Sequence, residues 1–212
     1  MKNRFQLGAL GAALLVTGSL AAPSAQAQNN MMMPDPAPLN AAITANFDRI
    51  FMIHAAQTNM AEVMMGSLAL RRSNNPGVRM IARTTMRDHA RAQRDLASHF
   101  RAMDAPLPPN PGPIHTAVYE KLSRLRGAAF DKAYMAVQVG AHEGSVTLYA
   151  HEIENGRNAT AKAHAQNKLP HILGHTAMIY DVARRVGAPG VNLRPPAVVQ
   201  AAMQSLSRMQ QM

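Results

Sequence analysis

Apolar residues along this chain recur at steps of three and four over four long stretches, and almost nowhere at the alternating step of a strand. The first stretch runs from about Asn40 to Ser73, with Ile43, Phe47, Ile50, Phe51, Ala61, Met65 and Leu68 along one face. Asn75 followed by Pro76 opens the second, because a proline at the first helical position gives up an amide that has no helical partner anyway. That helix reaches about Asp104 and carries Val78, Ile81, Thr85, His89, Ala92 and Leu96 on one stripe. Pro106, Pro108, Pro109, Pro111 and Pro113 then predict an extended, non-helical crossover over 105–113. A short helix over Thr116–Leu125 is expected to stop at Gly127. The third long helix carries Phe130, Tyr134, Val137, Ala141, Leu148 and Glu152 along a face and ends at Asn155-Gly156. Asn158 caps the fourth, which continues to Gly187 with Pro170 as an expected interior kink.

Short turns make the first and last pairs antiparallel hairpins, while the long connection can carry the chain back along the bundle. The predicted fold is therefore all-α: a ferritin-like four-helix bundle over 41–187 with a long crossover between helices two and three. Ahead of it, Lys2 and Arg4, the apolar stretch Leu7–Leu20 and Ala25-Gln26-Ala27 read as a signal peptide over 1–27. The expected location is the periplasm or the medium, after cleavage near Ala27. Residues 28–40, with Pro34, Pro36 and Pro38, are expected to be flexible. Residues 188–212 form a tail with a weakly amphipathic stretch from Val198 to Met209. No segment after the leader is apolar enough to cross a bilayer.

Composition narrows the chemistry. The chain has no cysteine, which excludes disulfides and thiolate metal sites and leaves stability to packing. Five ionisable residues, Glu62, Asp88, His89, His142 and His175, fall near the middle of the four apolar-periodic segments. Counted from the tight turns they lie roughly 12 to 18 residues away, so at roughly 1.5 Å per residue they are nearly level. Imidazole and carboxylate groups on facing helices are how bundles hold iron, manganese, zinc or copper without sulfur. The Glu-x-x-His pairs of a carboxylate-bridged di-iron bundle are absent from helices two and four. The same groups could instead form a buried hydrogen-bond network that fixes helix register. Methionine is abundant, at 16 residues, and Met60, Met64 and Met65 lie near Glu62; thioethers with histidine suit copper, although core filling uses the same residue.

A second pattern is a stripe of arginines on helix two: Arg79, Arg83, Arg87, Arg91 and Arg94. With a net charge of +10 and export expected, the partner such a stripe would meet is an anionic envelope component, lipid or polymer. No aromatic platform interleaves it for base stacking, so nucleic acid is not expected. A solvated face, with Asp88 and Asp95 near Arg91, is the plainer use of those charges. The chain has no serine nucleophile elbow, glycine-rich phosphate loop or His-Glu-x-x-His helix.

Three runs carry a family resemblance: Asn59–Leu96 (NMAEVMMGSLALRRSNNPGVRMIARTTMRDHARAQRDL), Leu122–Glu152 (LSRLRGAAFDKAYMAVQVGAHEGSVTLYAHE) and Leu169–His175 (LPHILGH). Together they closely resemble the bacterial family DUF4142, a domain of unknown function, over roughly Phe47–Val186. The resemblance implies a ferritin-like fold and export, and no established activity. The family's recurrent polar positions match Glu62, Asp88, His89, Phe130-Asp131, Tyr134, His142 and His175, whereas His54, His151, His164 and His171 are not carried over. The expected function is binding or envelope maintenance under stress, with a candidate mid-bundle metal site. Two competing functions are a divergent metal-dependent oxidase or peroxide-handling enzyme, and an envelope protein that binds anionic lipid or polymer.

Overall fold

The computed structural model describes residues 36–102, 104–190 and 195–209, and every regular element among them is a helix. The expected signal peptide and residues 28–35 lie outside the described residues. In chain order the helices are α1 (Pro36–Arg72), α2 (Pro76–Ala102), α3 (Gly112–Ser123), α4 (Gly127–Asn155), α5 (Ala159–Val186) and α6 (Ala197–Met209). None is long and apolar enough to cross a membrane.

Local chemistry explains most boundaries. Asn75 Oδ1 accepts from the backbone amides of Gly77 and Val78, capping α2 as its sequence requires. Asn158 Oδ1 accepts from the Ala161 amide at the start of α5. Gly187 ends α5 in the left-handed conformation (φ 65°), where a β-carbon would be strained, and its amide returns to the Ala183 and Arg184 carbonyls. Three expectations are corrected. α1 begins at Pro36, ahead of Asn40, because a proline is tolerated in a first helical turn. α3 begins at Gly112 and takes in Pro113 for the same reason, so the extended crossover is shorter than 105–113. Gly127 opens α4, whereas α3 already ends at Ser123.

Side-chain contacts give the packing of the four long helices. α1 meets α2 through Asn59 and His89, and α4 through Glu62 and Gln138 and through Phe51 and Tyr149. α5 meets α2 through His175 and Asp88 and through Lys168 and Asp95, and meets α4 through Tyr180 and Glu143. With Gly66 against Met86 as a second α1–α2 contact and Tyr149 against His164 as a second α4–α5 contact, the residue number in each pair rises on one helix as it falls on the other, so spatial neighbours are antiparallel and α2 runs parallel to α4. The chain between α2 and α4 therefore travels the length of the helices, with α3 laid along them: His115 lies beside His54, and Leu122 is buried with Leu68, Phe130 and Ile179. At the α1–α2 crossing a β-carbon on Gly66 would fall 2.4 Å from Met86 Cγ and 3.1 Å from the Ala82 carbonyl oxygen, so any larger residue forces Met86 to move.

The core forms two clusters. One gathers Met65, Leu68, Ile81, Phe130, Tyr134 and Ile179; the other gathers Phe51, Leu96, Phe100, Tyr149, Ile172 and Val199, the last from α6. Each such apolar side chain contributes roughly 1.5–3 kcal/mol by leaving water. Between the clusters, at the waist, every long helix turns polar residues inward: Asn59 and Glu62, His89, Gln138 and His142, and His175. This layer forgoes the apolar gain and must be held by hydrogen bonds.

Candidate metal centre

Each waist histidine is fixed by one nitrogen. His89 Nδ1 donates to Asn59 Oδ1 at 2.8 Å, His142 Nδ1 to the Gln138 carbonyl at 3.0 Å, and His175 Nε2 to Asp88 Oδ2 at 3.0 Å. These three oxygens only accept, so the ring nitrogen facing each one carries the proton and the opposite nitrogen carries a lone pair. Those opposite nitrogens, His89 Nε2, His142 Nε2 and His175 Nδ1, are buried without a hydrogen-bond partner. One nitrogen from each ring lies within 4.8 Å of the others, and the ring centroids form a near-equilateral triangle of 5.7, 5.7 and 5.9 Å.

The electrostatics keep this triangle neutral. Burial pushes His89 well below the usual imidazole range, with His142 and His175 adding to the effect. Burial, then His175, bring His142 down to about 3. His175 is lowered by burial while Asp88 pulls the other way. Asp88 itself sits at about 2, chiefly because Arg87 donates to it at 2.7 and 3.0 Å, and secondarily through His175. At neutral pH the three rings thus meet uncharged, each with one nitrogen that carries a lone pair and no hydrogen-bond partner.

Such a set suits a cation. Nitrogens bound to one zinc ion at roughly 2.0–2.1 Å sit roughly 3.4 Å apart in a tetrahedron, so closing on an ion draws these rings in by no more than about 1.4 Å. The outer hydrogen bond that orients each ring is the usual second layer of a metal-ligating histidine. A cavity of about 70 Å³ abuts His89 and His175 between α2 and α5.

The remaining candidates separate. Asp88 supports His175 from outside the triangle. Glu62 is buried and accepts from Gln138 Nε2 at 2.9 and 3.2 Å, away from the imidazole triangle; burial lifts its carboxyl to about 7, partly offset by that bond. The arginine stripe is divided: Arg79 donates to the Leu70 and Ser73 carbonyls and Arg87 pairs with Asp88, while Arg83, Arg91 and Arg94 are exposed. Reading the sequence missed Asn59 and Gln138. Gln138 stands one turn before His142, which is a visible signal; Asn59 meets a histidine 30 residues away across the α1–α2 turn and leaves none. Also missed was His164, which is 1% exposed.

No curated protein matches the sequence. Among solved structures, a DUF305 protein from Streptomyces coelicolor described as secreted is similar, with a TM-score of 0.57 at 16% identity over 69% of this chain and 97% of that one. At that identity the likeness shows an all-helical fold and nothing of the site. The description "Domain of unknown function (DUF4142)" matches residues 33–182, most of the chain, and the protein belongs to that family.

Proposed function

We propose that the protein binds one divalent transition-metal ion, zinc or copper, at His89, His142 and His175. The single observation that carries this reading is the convergence of three buried imidazoles, each with one partnerless nitrogen and an opposite N–H that is tethered. A network serving only to fix register would pair the inner nitrogens too, since a buried polar atom left without a partner costs roughly 1–3 kcal/mol. Three neutral nitrogen ligands without oxygen or sulfur suit zinc and copper better than manganese. Three protein ligands leave a fourth position open, the arrangement of a working rather than a purely structural zinc site.

The frame that holds the site is read as a ferritin-like bundle, supported by the up, down, down, up order of α1, α2, α4 and α5 and by the single long crossover. Export is read from Lys2, Arg4, Leu7–Leu20 and Ala25-Gln26-Ala27. N-terminal sequencing of protein recovered from the cell envelope is expected to begin at Gln28, and a start at Met1 would refute export.

The metal reading is tested on the full chain after demetallation. Titration with Zn²⁺ should show saturation at about one ion per chain. At a free-ion concentration of about 100 times the dissociation constant, folding stability should rise by roughly 2.7 kcal/mol. Absence of uptake, or uptake unchanged in His142→Ala, would exclude the centre.

A further inference from the structure

A divalent ion held by three neutral imidazoles brings two positive charges into a buried layer. The nearby carboxylates do little to balance them. Asp88 is committed to Arg87 and His175, and Glu62 lies outside the imidazole triangle. A buried charge without compensation is costly, so such a centre draws in an anion from outside.

The structure supplies a route and a cradle. The cavity beside His89 and His175 is lined further by Asn59, Asp88, Arg91, Tyr149, Lys168 and His171, and the Asp88 carboxylate there is already paired with Arg87 and His175. Arg91 is exposed and has no ion-pair partner among the described residues; Lys168 is held in place by Asp95 at 2.6 Å. These two cations mark the mouth of the cavity on the α2–α5 seam. Deeper in, Asn59 is 2% exposed and gives its oxygen to His89, which leaves its amide nitrogen a buried donor without a partner. An orphaned donor and two cations thus meet around a space of about 70 Å³ that His89 and His175 also border. Since one water molecule needs only about 10–15 Å³ of such space, the cavity has room for a small anion.

We propose that the fourth coordination position takes a small inorganic anion, which enters between α2 and α5 past Arg91 and Lys168 and accepts a hydrogen bond from the Asn59 amide. This inference rests on the metal reading above. The full chain, demetallated and reloaded with Co²⁺, is titrated with sodium azide and followed by visible absorption. A saturable change in the cobalt bands is expected, weakened at least fivefold in an Arg91→Ala, Lys168→Ala double variant and unaltered by Arg94→Ala, an exposed arginine of α2 outside the cavity lining. Cobalt retained at about one per chain with bands indifferent to azide overturns the anion site and leaves the metal centre standing. Equal azide affinity in the double variant overturns the roles of Arg91 and Lys168. Failure to retain cobalt at all overturns the metal centre itself.

Discussion

The helices α2 and α5 bring imidazoles together twice, at the waist through His89 and His175 and roughly 15 Å further along through His99 and His164. Proximity is similar in both places: the ring centroids are 5.7 Å apart at the waist and 5.3 Å apart in the second pair. Their surroundings differ. At the waist each ring is tethered by one nitrogen and α4 adds a third imidazole, His142. At the second level α4 supplies Tyr149 and α1 supplies Phe51, whose rings lie 6.1 and 6.3 Å from that of His164. Neither nitrogen of His164 has a partner, nor has Nδ1 of His99, and Asp95 is taken by Lys168. No tether fixes a tautomer there, and a cation would sit beside an ammonium group. The contrast teaches that a ligand set is made by the hydrogen bonds behind the rings as much as by the rings themselves.

The largest effect should come from making the waist resemble the second pair. His142→Ala leaves two facing imidazoles from α2 and α5, as at His99 and His164. Loss of one ligand should weaken Zn²⁺ binding more than the loss of an outer hydrogen bond, which costs roughly 10–100-fold, so a fall beyond about 100-fold is expected in competition with a chromophoric chelator. His164→Ala should leave the affinity where it was. Similar losses in both variants would erase the distinction between the two regions.

The two regions also bury titratable groups of opposite kind. Glu62 stands at about 7 in the fold and near the ordinary carboxyl value when unfolded. Between those values the native state holds the proton more firmly than the unfolded chain, so stability falls as pH rises through the window. At roughly 1.4 kcal/mol per unit the loss amounts to ~3 kcal/mol by pH 8. Glu62→Gln, which keeps an acceptor for Gln138, should therefore melt higher than the parent at pH 8 and nearly level with it at pH 4.5. A constant difference across that range would mean that Glu62 does not hold the proton.

Much of this was legible in the chain because helical periodicity and caps are local signals: the Asn75-Pro76 start, the Asn158 cap and the Gly187 stop are each decided within a few residues. The levels of His89, His142 and His175 follow from counting along helices of known rise. Which groups join the set does not, because that depends on rotation about each helix axis. Glu62 and His142 both sit beside an apolar stripe in the sequence, yet in the fold one faces Gln138 and the other joins the triangle. Asn59 and His164 were illegible for a related reason. Their roles come from what lies across the bundle, and nothing within a turn of either residue announces it.

Tether removal is the next smaller test. Asn59→Ala deletes the oxygen that receives the His89 N–H while leaving all three imidazoles in place, and metal affinity should fall roughly 10–100-fold with the stoichiometry kept. An unaltered affinity would show that packing alone orients His89, and the second pair would then lack only a third ring.

The smallest effect belongs to His164, where the comparison predicts that an imidazole without tethers serves neither metal nor fold. His164→Phe replaces two unsatisfied buried nitrogens with a ring that can pack against Phe51 and Tyr149. Relief of the unpaired polar atoms is opposed by the bulk of the larger ring, so a net gain of about 1 kcal/mol is expected for the metal-free protein at pH 7. That corresponds to roughly 2–4 °C in melting temperature. The gain should widen in acid. Burial, with His99 and Lys168 adding to it, holds His164 at about 3 in the fold, whereas the unfolded residue takes up its proton near the ordinary histidine value. From there down to the folded value the unfolded state binds more protons, so the parent loses stability as pH falls and the phenylalanine variant is spared that loss. If the two proteins instead lose stability in parallel between pH 7 and pH 5, His164 is charged in the fold after all, and the second pair must be counted as a tethered, hydrogen-bonded site like the waist.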